Sequence, residues 1–173
     1  KSEIKGTIEL GATINGVLIL GKGSVVKAGS YIEGPVVIGE NSVIGPNCYL
    51  RAGVVIGDEC KVGQAVEIKN SIIMNRSKVP HLAYIGDSVI GEDVNLGAGT
   101  ICANLRHDNK NIMSMVKGIL VDTGRRKLGA VIGDHTHTGI NTSIFPGRKL
   151  GPHTNTRPGE IVDKDIGGEK CVE

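Results

Sequence analysis

The chain has 173 residues, enough for one ordinary domain, and its 20 Lys and Arg against 18 Asp and Glu leave a net charge of +2. This near balance argues against nucleic acid or a membrane surface as a general partner. No apolar run is long enough to span a membrane, and no N-terminal segment resembles a signal peptide. Glycine is abundant, with 26 residues, whereas the aromatic residues are three Tyr and one Phe. The core must therefore be built from aliphatic side chains.

The four cysteines, Cys48, Cys60, Cys102 and Cys171, have neither a CxxC pair nor the spacing of a zinc finger. We expect Cys48, Cys60 and Cys102 to be small buried side chains rather than halves of disulfides. This cysteine usage predicts a cytoplasmic protein.

A period of six residues organises the first part of the chain. An aliphatic side chain recurs at Ile8, Ile14, Leu20, Val26, Ile32, Ile38, Ile44, Leu50, Ile56, Val62, Ile68 and Met74. Two positions earlier the residue is often small, as at Ser24, Ser42 and Cys60, and should lie near a corner. Six matches neither a helix nor a long strand, but it suits a short strand followed by a turn. The pattern predicts an all-β parallel β-helix with an internal column of aliphatic side chains.

The period is interrupted twice. The register slips across residues 76–82, resumes at Tyr84, Ile90, Leu96 and Cys102, is lost over 104–128, and returns at Ile132, Thr138, Ile144, Leu150, Thr156 and Val162. We therefore expect two loop insertions, which solenoids often place on a binding face. The repeat is already running at Ile8 without a polar cap, so we expect a preceding domain to be missing from this chain.

Both interruptions carry residues capable of chemistry. The first contains His81, either a general base or a solvent-exposed loop residue. The second contains an apolar hairpin pattern around Lys117 and Gly118, followed by Arg125, Arg126 and Lys127. This basic triplet either faces solvent or holds an anionic ligand.

Arg51 and Lys69 follow inward aliphatic residues and are one expected coil apart, 18 residues. If the coils stack, these two cations lie about 5 Å apart and repel each other unless an anion bridges them. A phosphate would suit this position, although a simple pair of surface charges remains an alternative.

Four segments resemble a known family: residues 49–53 (YLRAG), 67–69 (EIK), 81–87 (HLAYIGD) and 94–104 (VNLGAGTICAN). They are similar to the acetyltransferase domain of the bifunctional glucosamine-1-phosphate acetyltransferase / N-acetylglucosamine-1-phosphate uridylyltransferase. Residues 124–133 and the insertion before them resemble the archaeal sugar-1-phosphate nucleotidylyltransferases, which place this domain after a nucleotidyl-transfer domain. The resemblance implies a left-handed parallel β-helix with three hexads per coil. Roughly 22 hexads then give about seven coils in one domain, residues 1–173.

The resemblance also implies acetyl transfer from acetyl-CoA to the 2-amino group of a hexosamine 1-phosphate, with no metal required. It makes His81 the general base, a role that suits imidazole because it titrates near neutral pH. The other implied roles are sugar-phosphate binding by Arg51, Lys69, Tyr84, Asn95 and Lys110, a catalytic contact by Asn104, whose amide N–H steadies the developing oxyanion at the acetyl group, and a backbone contact to acetyl-CoA by Ala98. Family members are homotrimers whose sites lie between copies.

The chain departs from the bacterial pattern near the CoA path, with Leu105 in place of an aromatic residue, and Ile140 and Pro158 in place of small residues. The bacterial C-terminal arm is replaced by the short tail 168–173. We expect Arg126 to replace the basic contact to acetyl-CoA that the arm provides.

Three alternatives remain open from the sequence. A zinc-dependent γ-type carbonic anhydrase would use His135 and His137 as a ligand pair, but would leave Arg51 and Lys69 unexplained. A β-helix without catalysis would serve a nucleotidylyltransferase as a trimerisation or effector-binding module. Another acyltransferase of the same fold would use a different acceptor.

Overall fold

The computed structural model describes residues 1–167, so Cys171 and the tail 168–173 lie outside the described part. Within these residues the chain consists of 23 short strands joined by turns, which confirms the all-β prediction. No helix in this range is long and apolar enough to cross a membrane.

Three parallel sheets form three faces of a solenoid, visited in turn by each coil. The first face contains β1 (Glu3–Ile4), β4 (Leu18–Leu20), β7 (Val36–Ile38), β10 (Val54–Ile56), β13 (Ile72–Ile73), β16 (Val89–Ile90), β20 (Val131–Ile132) and β22 (Lys149–Leu150). The second face contains β2 (Thr7–Ile8), β5 (Val25–Val26), β8 (Val43–Ile44), β11 (Lys61–Gln64) and β14 (Lys78–His81). The third face contains β3 (Thr13–Asn15), β6 (Tyr31–Glu33), β9 (Tyr49–Leu50), β12 (Glu67–Lys69), β15 (Tyr84–Gly86), β17 (Ile101–Cys102), β21 (Ser143–Ile144) and β23 (Ile161–Val162).

The solenoid has about nine coils rather than the predicted seven. The first face alone stacks eight strands, and Ile166 adds a ninth level by bridging to Leu150. The second face continues beyond β14 through single bridges that join Lys78, Asn95, His137 and Asn155. The count of seven was too low because it ran from Ile8 to Val162, which left out β1 and Ile166, and because it skipped the level of β14 in the first interruption. The left-handed winding stays a prediction.

The aliphatic column is confirmed for most of its length. The period-six positions from Leu20 to Ile68 are fully buried, and Ile8 and Ile14 pack against the same core. Burial raises the pKa of the Cys102 thiol to about 12, as expected for a cysteine that serves as a small core side chain. Cys48, Cys60 and Cys102 are all free and buried, in agreement with the sequence.

The first interruption is not an insertion, and two inward assignments there are wrong. Ile73 is buried in place of the exposed Met74, and Ile85 is buried where the sequence analysis placed Tyr84. Ile68 pairs with Ile85, and Ile85 with Cys102, so two successive coils each have one residue fewer than the coil from Leu50 to Ile68. Because the period is six, two losses of one residue each at the same corner move the repeat to the same register as an insertion of four residues would. Residues 75–84 therefore form an ordinary part of the solenoid.

The second interruption is a true insertion, with the expected hairpin. β18 (Met113–Val116) and β19 (Ile119–Asp122) pair antiparallel around Lys117 and Gly118. The hairpin is fastened to the later coils: the Arg148 guanidinium donates to the Met113 carbonyl over 2.9 Å, and the Ser114 hydroxyl donates to the Gly147 carbonyl over 3.1 Å. The insertion leaves the solenoid at the corner between the third and first faces.

Candidate functional site

The outer surface of the third face carries the two cations that the sequence singled out. Leu50 pairs with Ile68, so Arg51 and Lys69 follow stacked residues, as predicted. Each cation already has a carboxylate partner: Arg51 lies 3.0 Å from Glu67, and Lys69 lies 3.1 Å from Asp87. The hydrogen bond that the Arg51 guanidinium donates to Glu67 raises the pKa of Arg51. The carboxylates of Glu67 and Asp87 thus relieve the repulsion between the two cations. An anionic ligand would bind to a surface on which these positive charges are already paired.

Tyr84 and Asn104 meet above a glycine on this face. A Cβ placed on Gly86 would lie 2.7 Å from the Tyr84 hydroxyl and 2.6 Å from the Asn104 side-chain nitrogen. Gly86 is the strand partner of Lys69 in the coil above it. The absence of a side chain at residue 86 therefore creates the space in which the hydroxyl and the amide come together, beside the strand position of Lys69.

Asp87 links these residues from the adjoining corner. Its carboxylate accepts hydrogen bonds from the side-chain nitrogens of Lys69, Asn70 and Asn104. Burial raises the pKa of the Asp87 carboxyl, but the hydrogen bonds from Asn70, Asn104 and Lys69 outweigh burial and hold the pKa below its usual value. Asp87 lies within the HLAYIGD segment that carries the family resemblance, but the resemblance implies no role for it. The available signal is a Gly-Asp pair that begins two residues after a site tyrosine.

His81 lies on the second face, at the last position of β14, and its side chain is exposed. Its strand partner is Gln64 in the coil below. The corner at Leu82 and Ala83 separates it from Tyr84, so His81 and Asn104 occupy neighbouring faces rather than one surface. An exposed imidazole at this edge can take up a proton and pass it to solvent.

The remaining predicted residues lie farther away. Asn95 stands on the second face, bridged to Lys78 below and His137 above. Ala98 lies near the corner between the second and third faces, where its carbonyl accepts from the Asn141 N–H over 2.7 Å. The structure thus brings Lys69, Tyr84 and Asn104 together but does not bring Asn95 or Ala98 to them within one chain.

Lys110 and Arg126 belong to the insertion and are exposed. Arg126 donates to the Asn109 side chain over 3.2 Å, and Lys110 lines an open cleft of about 430 Å³ with Arg106, Asn111, Met113 and Asp122. The insertion begins and ends beside Asn104, because Leu105 bridges to Lys127 and the Leu128 N–H donates to the Asn104 carbonyl. These basic side chains therefore border the site without contacting its centre.

The histidines of the later coils form no metal centre within residues 1–167, where no group of three or more His, Cys, Asp or Glu side chains converges. His135 instead stacks on His153, with ring centroids 4.8 Å apart. His137 stands on the second face in the column of Asn95.

Comparison with known proteins agrees with this architecture. Residues 32–144 match the family model described as the GMPPB C-terminal domain. The chain belongs to the GMPPB C-terminal domain family. The match covers β6 to β21 and includes every predicted site residue, since these run from Arg51 to Arg126.

Three curated relatives illustrate what this member of the GMPPB C-terminal domain family is similar to. A bifunctional protein GlmU of Methanococcus maripaludis (strain C7) is 56% identical over 165 residues, which is 95% of this chain and 40% of that protein. GlmU of Methanocaldococcus jannaschii is 44% identical over 165 residues, which is again 95% of this chain and 40% of that protein. A bifunctional sugar-1-phosphate nucleotidylyltransferase/acetyltransferase of Sulfurisphaera tokodaii is 56% identical over 103 residues, 60% of this chain and 26% of that protein. The chain spans about two fifths of the two GlmU proteins.

Proposed function

We propose that this chain is an N-acetyltransferase that moves acetyl from acetyl-CoA to the 2-amino group of a hexosamine 1-phosphate. Glucosamine 1-phosphate is the first acceptor to test, and galactosamine 1-phosphate is the second. The observation that carries the proposal is the cluster of Lys69, Tyr84 and Asn104 around Gly86, with Arg51 one coil below Lys69. The names of the relatives support the same reaction class.

In this proposal the third face holds the sugar phosphate. An ammonium group has three donors, so Lys69 keeps donors for a phosphate while it is bonded to Asp87. Arg51 adds a second cation one coil below, and the Tyr84 hydroxyl is placed to bond the sugar. Lys110 reaches the ligand from the insertion, and Asn95 reaches it from another copy of the chain.

The chemical step joins the sugar nitrogen to the acetyl carbon and breaks the bond from that carbon to the CoA sulfur. His81 takes the proton that the amine loses as it attacks, and the thiolate leaves with the bonding electron pair. The Asn104 amide faces the acetyl group, and the Ala98 backbone and Arg126 bind acetyl-CoA. No metal ion takes part in this step.

The proposed site is completed by a second copy, since a ligand on the third face of one chain meets neither Asn95 nor Ala98 of that chain. A homotrimer with sites between copies would supply them. A closed ring of three copies repeats the same heterologous contact three times. In this proposal that contact places the second face of one copy against the third face of the next.

His81→Ala tests the enzyme and its base together. We expect CoA release from acetyl-CoA and glucosamine 1-phosphate to fall by about a hundredfold or more, because a positioned general base contributes roughly 10²–10⁴ in rate. Release is followed with a thiol reagent and corrected for protein thiols. His153→Ala is the matched control, since His153 is also exposed but stacks on His135.

An unsubstituted protein that releases no CoA with either amino sugar would defeat the proposal. Such a result would favour a β-helix that assembles or regulates a nucleotidylyltransferase. Full activity of the His81→Ala variant would support the acetyltransferase but would show that His81 is not its general base.

A further inference from the structure

The corner between the third and first faces contains a carboxylate that the proposed reaction does not use. Asp87 follows Gly86 in the left-handed backbone region, with φ of 48°, where aspartate is better tolerated than most residues. Its side chain is 9% exposed. Asn70 stands in the coil below and Asn104 in the coil above, and both turn their side-chain nitrogens to this carboxylate.

We infer that Asp87 is a positioning residue that orients Lys69 and Asn104 for the sugar phosphate and the acetyl group. The inference rests on the proposed acetyl transfer and concerns the same site. Asp87 contacts neither substrate in this account, and acts only through the two residues that do.

The orientation of Asn104 follows from what a carboxylate can accept. An ionised carboxylate has no donor, so only the NH₂ group of Asn104 can face Asp87. The Asn104 carbonyl oxygen then faces away from Asp87, and the second hydrogen of the NH₂ group is left for the acetyl group. The opposite orientation would bring two acceptor oxygens together and would lose this hydrogen bond.

The position of Lys69 follows from the same carboxylate. Its Nζ lies 3.1 Å from one Asp87 oxygen and 3.4 Å from the other, and the Lys69 side chain is only 20% exposed. A flexible lysine is therefore held at one place on the face before any ligand binds. Preorganisation of this kind lowers the entropy cost of binding.

An asparagine at residue 87 could not replace the carboxylate. Asp87 uses one oxygen for Asn70 and the other for Asn104, with Lys69 near both. Asparagine has a single oxygen, and its own NH₂ group would face the NH₂ group of Asn70 or Asn104. The low pKa of Asp87 agrees with a group that remains ionised, and so remains an acceptor, at neutral pH.

Asp87→Asn is the direct test, and Asp93→Asn is its matched control. Asp93 also has a left-handed backbone, with φ of 52°, and also accepts from a cation, Arg76, but at the corner between the first and second faces. We expect Asp87→Asn to lower kcat/KM for glucosamine 1-phosphate by about tenfold or more, in large part through a higher KM for this sugar phosphate, since small displacements of positioning groups carry large penalties. The KM for acetyl-CoA should stay within about twofold of the unsubstituted value, and Asp93→Asn should leave both constants unchanged.

The split between the two substrates separates positioning from a loss of folded protein, which would reduce the amount of active enzyme without changing either KM. If Asp87→Asn does not fold, Asn70→Gly removes one Asp87 partner at an exposed position whose φ of 44° glycine accepts. The KM for glucosamine 1-phosphate should then rise severalfold. If the unsubstituted protein is active and the kinetic constants are unchanged in whichever of these variants folds, the inference about Asp87 is overturned but the proposed function is not. Inactive unsubstituted protein would overturn the proposed function with it.

Discussion

At the scale of single residues, the site depends on where side chains are absent as much as on where they are present. Lys69, Tyr84 and Asn104 come from three different coils, and they converge because residue 86 is glycine. The residue types and their order were readable from the sequence. The carboxylate partners Glu67 and Asp87 were not, because each pairing depends on the register between coils, and the pairing of Asp87 depends also on the shortened corner before Ile73.

Gly86→Ala should damage the site more than the fold. The new methyl would lie 2.6 Å from the Asn104 nitrogen and 2.7 Å from the Tyr84 hydroxyl, so at least one of these groups must move. Gly86 is not among the residues with positive φ, so alanine adds no backbone strain there. We expect kcat/KM for glucosamine 1-phosphate to fall by about tenfold or more, with the KM for acetyl-CoA little changed.

The melting temperature measured alongside distinguishes the two effects. A large loss of stability with unchanged kinetic constants would show that the space above Gly86 serves packing rather than the ligand. A higher KM for glucosamine 1-phosphate would support the proposed contact from Tyr84 to the sugar phosphate, and a lower kcat would support the proposed contact from Asn104 to the acetyl group.

At the scale of the coil, small polar residues hold successive turns together inside the solenoid. The Ser42 hydroxyl donates to the Gly57 carbonyl over 2.8 Å and accepts from the Cys60 N–H over 2.9 Å. Ser24 does the same one coil below, where it accepts from the Ser42 N–H. The expectation that small residues lie near the corners is confirmed, and the hydroxyl explains why serine recurs: it can donate and accept at once.

Ser42→Ala should lower the free energy of unfolding by about 1–3 kcal/mol, because Cys60 and Gly57 each lose a buried hydrogen-bond partner. A urea titration followed by circular dichroism measures the change. Ser42→Cys should lose less, since a thiol keeps a weak donor and acceptor, and Cys60 already occupies the equivalent position one coil above. Ser143→Ala, at a partly exposed serine of β21, is the control. Equal stability of Ser42→Ala and the unsubstituted protein would contradict this account.

The two interruptions show which elements a periodic sequence reveals. The hairpin of β18 and β19 was predictable because its alternation and its Lys117-Gly118 turn are local. The interruption around His81 was misjudged because the loss of one residue at each of two corners resembles a single loop when only every sixth residue is read. Strand pairing supplied the missing information, since Gln64 and His81 are direct neighbours in the second sheet.

At the scale of the whole molecule, the solenoid distributes the predicted site over different surfaces. Lys69 ends a strand of the third face, beside the corner at Asp87. Asn95 stands on the second face, in register with Lys78 of the coil below. Since Lys78 is the first residue of β14, Asn95 lies near the corner between the first and second faces. The resemblance predicted both as ligands of one sugar phosphate, and the geometry makes that possible only between copies. The spacing of residues along one chain could not reveal this, because it contains no information about how copies pack.

Complementation between inactive variants tests that conclusion. Lys69→Ala and Asn95→Ala each remove one contact, and we expect each variant alone to lose most of its activity. In a ring of three that contains both kinds of copy, one of the three junctions joins an intact Lys69 to an intact Asn95 of the next copy. Mixed trimers, co-expressed and purified through two different tags, should therefore recover about one third of the unsubstituted activity.

A mixture of Lys69→Ala with Asn104→Ala provides the control, because both residues contact Asp87 of the same chain and so belong to the same half of any shared site. That pair should recover nothing. Recovery by both pairs would mean that Lys69 and Asn104 serve different junctions, against the geometry around Gly86. Recovery by neither would place Asn95 outside the sugar-phosphate site. Because each variant lies on the solenoid surface, the aliphatic column stays intact, and the comparison reports on how the copies meet rather than on whether each copy folds.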